Sequence, residues 1–125
     1  MSVAASPDVL ELSVPADPAL ALTARMFAGA LAGHLSDVSA EDLKLAFSEL
    51  LAAAVDAGSD SVAYRVDLTR AEVEVRGVGD LGVSDQPGVE EHERFARAHR
   101  AALLGALFPR LRTDGDVLRL PVGSE

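Results

Sequence analysis

Leu45-Ala46-Phe47-Ser48-Glu49-Leu50-Leu51-Ala52-Ala53-Ala54 is the stretch from which the fold can be read. Leu43, Phe47, Leu50 and Ala54 recur at three- and four-residue steps, which puts them on one face of a helix, and Leu51 widens that face. Glu41, Lys44 and Ser48 lie opposite, toward water. Glu49 belongs to neither set: it stands on the border, with Ala53 one turn further along the same side. Ser39 precedes the repeat as an N-cap, and Asp42 takes the place where a capping box carries Glu. Gly58 stops the helix with the residue that a left-handed cap favours.

Downstream the period changes from helical to alternating. Val62, Tyr64, Val66 and Leu68 alternate with Ala63, Arg65 and Asp67; after a turn at Thr69-Arg70, Val73 and Val75 alternate with Glu72, Glu74 and Arg76. The pattern predicts an antiparallel hairpin with one apolar and one charged face, and a slip of one residue would bury the charges. From Gly77 to Gly88 four glycines, Pro87, Asp80 and Asp85 predict a loop that is either functional or slack. A third helix is expected from Val89 to Phe108. Glu90, Glu91 and Glu93 suit its start, and Phe95, Ala98, Ala102, Leu103, Ala106 and Leu107 are its expected inner face. Arg94, Arg97 and Arg100 read as a solvated face paired with nearby acids rather than as an anion site. After Asp114-Gly115, Leu118, Leu120 and Val122 alternate in a last strand, which Pro121 marks as an edge or an ending.

Upstream, residues 1–8 are expected to be a loose tail. Leu10, Leu12 and Val14 alternate in a first strand, and Pro15 stops it. Asp17-Pro18 caps and opens a helix that is expected to reach about Leu35, with Leu20, Ala24, Phe27, Leu31 and Leu35 buried. The order strand, helix, helix, strand, strand, helix, strand predicts an α/β (α+β) two-layer sandwich. Its four-stranded, mostly antiparallel sheet carries all three helices on one face. One domain, residues 9–123, accounts for the pattern.

Composition narrows the function. The chain has 125 residues, 49% of them hydrophobic and 25% charged, which suits one globular domain. The formal net charge of -9 is opposite to what a generic nucleic-acid binder needs, and favours solubility or a basic protein partner. There is no cysteine for a disulfide or a thiolate site. No apolar run approaches the ~20 residues needed to cross a bilayer, and the N-terminal residues lack an export pattern, so a cytoplasmic protein is expected. His34, His92 and His99 share no metal-ligand spacing, and a lone histidine such as His34 reads as structural.

The order of elements, with the stretches Leu45–Ala54, Val73–Gly79, Ala98–Phe108 and Val117–Val122, resembles the histidine kinase-like (GHKL, Bergerat) ATPase fold. The likeness is greatest to the small bacterial anti-sigma-factor serine kinases and runs from about Val9 onward. In that family a Glu-x-x-x-Asn signature on the second helix supplies a base and a magnesium ligand. An Asp-x-Gly-x-Gly turn holds adenine, and a second glycine motif leaves room for phosphates. Glu49 matches the glutamate and Gly79 the middle glycine. Ala53 stands where the asparagine belongs, and alanine has no oxygen for a hard cation. Gly77 stands where the aspartate belongs, Leu81 replaces the last glycine beside Gly82, and Ala98-His99-Arg100 is bulky where glycines are expected.

With three parts of the pocket altered together, the resemblance implies a non-catalytic, degenerate member. Glu49 is a relic, and Ala53, Gly77, Gly79 and Asp80 mark a lost ATP and magnesium site. On the residues alone, Glu49 reads as a helix-edge carboxylate, and the glycines as loop punctuation. The expected function is transcription regulation by protein–protein contact with a sigma factor or its regulator. A homodimer through the first strand and first helix is implied by the resemblance. Two other readings stay open. One is an active anti-sigma serine kinase with Glu49 as base and Asp80 as adenine acceptor. The other is an unrelated small α/β interaction module.

Overall fold

The computed structural model describes residues 2–6, 8–35, 38–79 and 91–122. The strands are β1 (Ser2–Ala5), β2 (Val9–Pro15), β3 (Ser61–Asp67), β4 (Glu72–Arg76), β5 (Arg112–Asp114) and β6 (Val117–Pro121). The helices are α1 (Ala21–Ala32), α2 (Ala40–Asp56) and α3 (Glu91–Leu107). Among the described residues all the strands join one six-stranded sheet in the order β1-β2-β3-β4-β6-β5, every pair antiparallel.

The pleat sorts the side chains. Leu12, Tyr64, Val75 and Leu118 lie in one cross-strand row, and all four are buried with residues of all three helices in a single core. The next row, Glu11, Arg65, Glu74 and Arg119, faces away. There Arg65 pairs with Glu11 at 3.2 Å and Arg119 with Glu72 at 3.1 Å. The outer face is therefore closed by charges of alternating sign, and the helices occupy the other face. The expected two-layer α+β architecture is the observed one.

Two strands lie outside the sequence expectation. Residues 2–5 are not loose: β1 pairs with β2 from Ser2↔Ser13 to Ala5↔Leu10. Ser2-Val3-Ala4-Ala5 is too small and too short to show a buried period, and backbone pairing alone places it on the edge of β2. β5 is exposed at every residue and has no buried face to signal it. β6 is thus inside the sheet along Val117–Arg119 and ends at Pro121, where β5 no longer runs beside it.

The first helix is shorter than its apolar spacing suggests. Asp17 accepts a hydrogen bond from the Ala19 amide, a 3-10 turn spans Pro18–Leu20, and α1 ends at Ala32 before Gly33. In α2 the Ser39 hydroxyl accepts from the Asp42 amide. The helix closes in a Schellman motif: Gly58, at φ +72°, donates to Val55, and Ser59 donates to Ala54. Between β3 and β4, Asp67 accepts from the Thr69 and Arg70 amides, and Ala71 takes the left-handed turn position.

The buried face of α3 is the expected one only in part: Leu107 packs against the core, and Ala98 and Leu103 are half-buried. Phe95 is 72% exposed, and Ala102 and Ala106 also face solvent. The core side carries Arg100, Leu104 and Phe108, one turn apart each. An arginine at the head of that row hides it from any apolar count.

Candidate functional site

Glu49 and Asp56 lie about two turns apart on α2, so their side chains leave the same side of the helix. α3 crosses that side and delivers Arg100 to both. Its Nε donates to Glu49 Oε2 at 3.3 Å, and its Nη2 to Asp56 Oδ2 at 2.9 Å. Arg100 is only 9% exposed and is the buried charged residue among those described, whereas the carboxylates keep 31% and 48% of their side-chain surface. A guanidinium taken this far out of water requires opposing charge on more than one side, and the two acids supply it. The expectation that Arg100 belongs to a solvated face is therefore corrected. The side chains of Arg94 and Arg97 lie outside the described residues, as do those that would form the Glu90–Arg94 and Glu93–Arg97 pairs.

Ala53 follows Glu49 on α2 and is buried at 3% exposure within the core. Beneath this part of α2, the Tyr64 ring stacks on Phe47, with centroids 4.3 Å apart and 13° between the planes. The Tyr64 hydroxyl donates to the Phe47 carbonyl oxygen at 2.8 Å. Burial pushes the Tyr64 phenol well above the ordinary tyrosine range.

The glycine turn leaves the end of β4. Gly77 has φ +94°, and a Cβ built there would collide with the carbonyl oxygen of Ser61 on β3. The Ser59 hydroxyl fixes the turn by donating to the Gly77 carbonyl oxygen. Two independent constraints thus require glycine here, and no side-chain acceptor fits without displacing β3. Gly79 has φ +69°, and a Cβ there would press on Ala57 at 2.9 Å. Asp80, Leu81, Gly82 and Asp85 lie outside the described residues, as does most of the expected 77–88 loop. Ala98, His99 and Arg100 are helical, within α3.

The structure therefore brings Glu49 together with Arg100; of the glycine turn only Gly77–Gly79 are described. A separate open cavity of about 590 Å³ is lined by Ser59, Arg76, Gly77, Gly79, Thr113 and Asp116, and neither Glu49 nor Ala53 borders it. Among the described residues no group of three or more His, Cys, Asp or Glu side chains could hold a metal ion. None of their helices is long and apolar enough to cross a membrane. Asp56 and Arg100 are the residues that the sequence reading did not single out as a pair. The one signal for Asp56 was its two-turn spacing from Glu49.

No protein-family model matches the chain, and no curated protein matches it.

Proposed function

We propose that this chain is a non-catalytic regulatory protein that acts by protein–protein contact in the cytoplasm and does not use ATP. The observation that carries the reading is the ion pair between Glu49 and Arg100. In the resembling kinases the equivalent glutamate must be free to polarise a hydroxyl. Here one of its two carboxylate oxygens, Oε2, already accepts from a guanidinium of the facing helix, so that oxygen is not open to a substrate hydroxyl. Burial of Ala53 in the core and the backbone constraint at Gly77 give the same reading support from two other positions.

The partner proposed from the resemblance is a sigma factor or a regulator of one. The first strand expected to offer an edge to a second copy, Val9–Val14, is β2, and β1 and β3 occupy both its edges. Pairing of two copies is therefore proposed through the edge of β1, with α1. Ser2-Val3-Ala4-Ala5 offers no charge and no proline to blunt the outer edge of β1. Val3, and Leu22 and Met26 on α1, are large apolar side chains left exposed. The test is a binding and transfer assay with purified sigma factors and their regulators from the host. The reading predicts a complex whose affinity is the same with and without ATP and magnesium, and no phosphate on the partner. A phosphorylated partner serine would overturn it.

A further inference from the structure

The cavity beside Gly77 has a cause in the path of the chain. β4 ends at Arg76, and Gly77, at φ +94°, turns the chain out of the sheet. Val78 then enters the common core, and Gly79 comes close to Ala57 at the end of α2. The line along which β4 would have continued is left open. Ser59 bounds the opening on the β3 side, Thr113 and Asp116 bound it on the β5–β6 side, and Arg76 stands at its mouth. The charges that line it are unmatched. Glu74 is shared by Arg65, Arg76 and Arg119, at 3.6, 3.2 and 3.7 Å. Arg65 also has Glu11, and Arg119 also has Glu72, whereas among the described residues Arg76 has no second acid. Its charge is therefore only partly compensated, and 62% of its side chain is accessible. Asp116 is exposed and makes no ion pair among the described residues, with Arg76 or with any other cation.

We propose that this cavity binds a small zwitterion of the α-amino acid class, its carboxylate on Arg76 and its ammonium on Asp116. A guanidinium with N–H groups to spare takes a carboxylate through parallel hydrogen bonds. Asp116 supplies acceptors for an ammonium, and so does Ser59, whose hydroxyl hydrogen is already given to Gly77 and whose oxygen is left to accept. The two charges line one cavity without touching each other, so a ligand that carries both signs satisfies both. A simple anion would leave Asp116 unmet and be repelled by it. A polyphosphate is disfavoured further by the formal net charge of -9. The volume of about 590 Å³ admits an amino acid together with its side chain. The site lies apart from Glu49 and from the edge of β1, so it stands or falls separately from the protein-contact reading.

Titration of the isotope-labelled full chain, followed through its amide shifts in NMR spectra, tests it. The probe is an equimolar mixture of the neutral L-amino acids. Saturable shifts are expected, in the millimolar range, at the amides of Ser59, Gly77, Gly79, Thr113 and Asp116. Arg76→Gln and Asp116→Asn, both at solvent-facing side chains that the fold does not need, should each weaken binding about tenfold, the loss of one charged partner. N-acetylated amino acids keep the carboxylate and lose the ammonium, and should bind about tenfold more weakly as well. Arg112→Gln removes a guanidinium that pairs with Glu72 outside the cavity, and should change nothing. The absence of saturable shifts at those amides would overturn the proposal. So would the same shifts with acetate alone, or binding that survives both Arg76→Gln and Asp116→Asn, because the cavity would then read one charge or none.

Discussion

Arg100 Nε lies 3.3 Å from Glu49 Oε2, and this contact joins the two helices that flank the border of α2. The same guanidinium serves Asp56 at 2.9 Å, so its loss leaves two carboxylates on one side of α2 without their shared partner. Arg100→Ala is expected to lower stability by about 2 kcal/mol in urea unfolding, a figure held down because both acids keep access to water. A double-mutant cycle with Glu49→Ala should give a coupling of about 1 kcal/mol. Additive losses would show that the two side chains do not act on each other.

Gly77 supplies a second prediction, on the question of whether the family's aspartate could be restored. Gly77→Asp should cost about 3 kcal/mol or more, from the left-handed backbone together with the collision at the Ser61 carbonyl. Gly77→Ala should cost nearly as much, since the Cβ alone meets that oxygen. Unfolding midpoints within error of the unmodified chain would mean that β3 yields there easily.

Gly105 is the opposite case. It lies inside α3 and a Cβ there meets no atom within 4 Å, so nothing in the packing asks for glycine. Gly105→Ala should raise stability by about 0.5–1 kcal/mol through helix propensity and a less flexible unfolded chain. Thermal unfolding measures this directly, and a loss of stability would reveal a contact at that face.

Tyr64 gives the protein an alkaline dependence with a definite sign. Its phenol is raised by burial in the folded state and titrates near pH 10 when unfolded. The folded chain therefore holds the proton above pH 10 while the unfolded chain releases it, so stability is full below about pH 10 and falls as the pH rises beyond it. Tyr64→Phe should cost about 1 kcal/mol at neutral pH, through the lost bond to Phe47, and should remove Tyr64's share of the alkaline decline. Equal alkaline slopes in the two proteins would contradict this.

Much of the architecture was legible because each element carried its own period. β3 and β4 alternate throughout, β2 and β6 do so beyond their first residue, and α2 has both a capping serine and a terminating glycine. β1 and β5 were hidden because neither buries a set of large side chains; they exist through backbone pairing, which leaves no mark on residue choice. The face of α3 was misassigned in part, for a physical reason as well. Alanine is spread around that helix, and the row that enters the core begins with an arginine, so hydrophobicity pointed to Phe95 instead. Glu49 was visible as a border residue, but its partner could not be: Arg100 is distant in sequence, and only the crossing of α3 over α2 unites them.

The central claim is that the border of α2 is committed to an internal arginine and offers no nucleotide site. Titration of the unmodified chain with ATP and magnesium in a calorimeter tests it most directly. The account predicts no saturable heat at millimolar nucleotide. Saturable binding in the micromolar range that weakens in Glu49→Ala would contradict it.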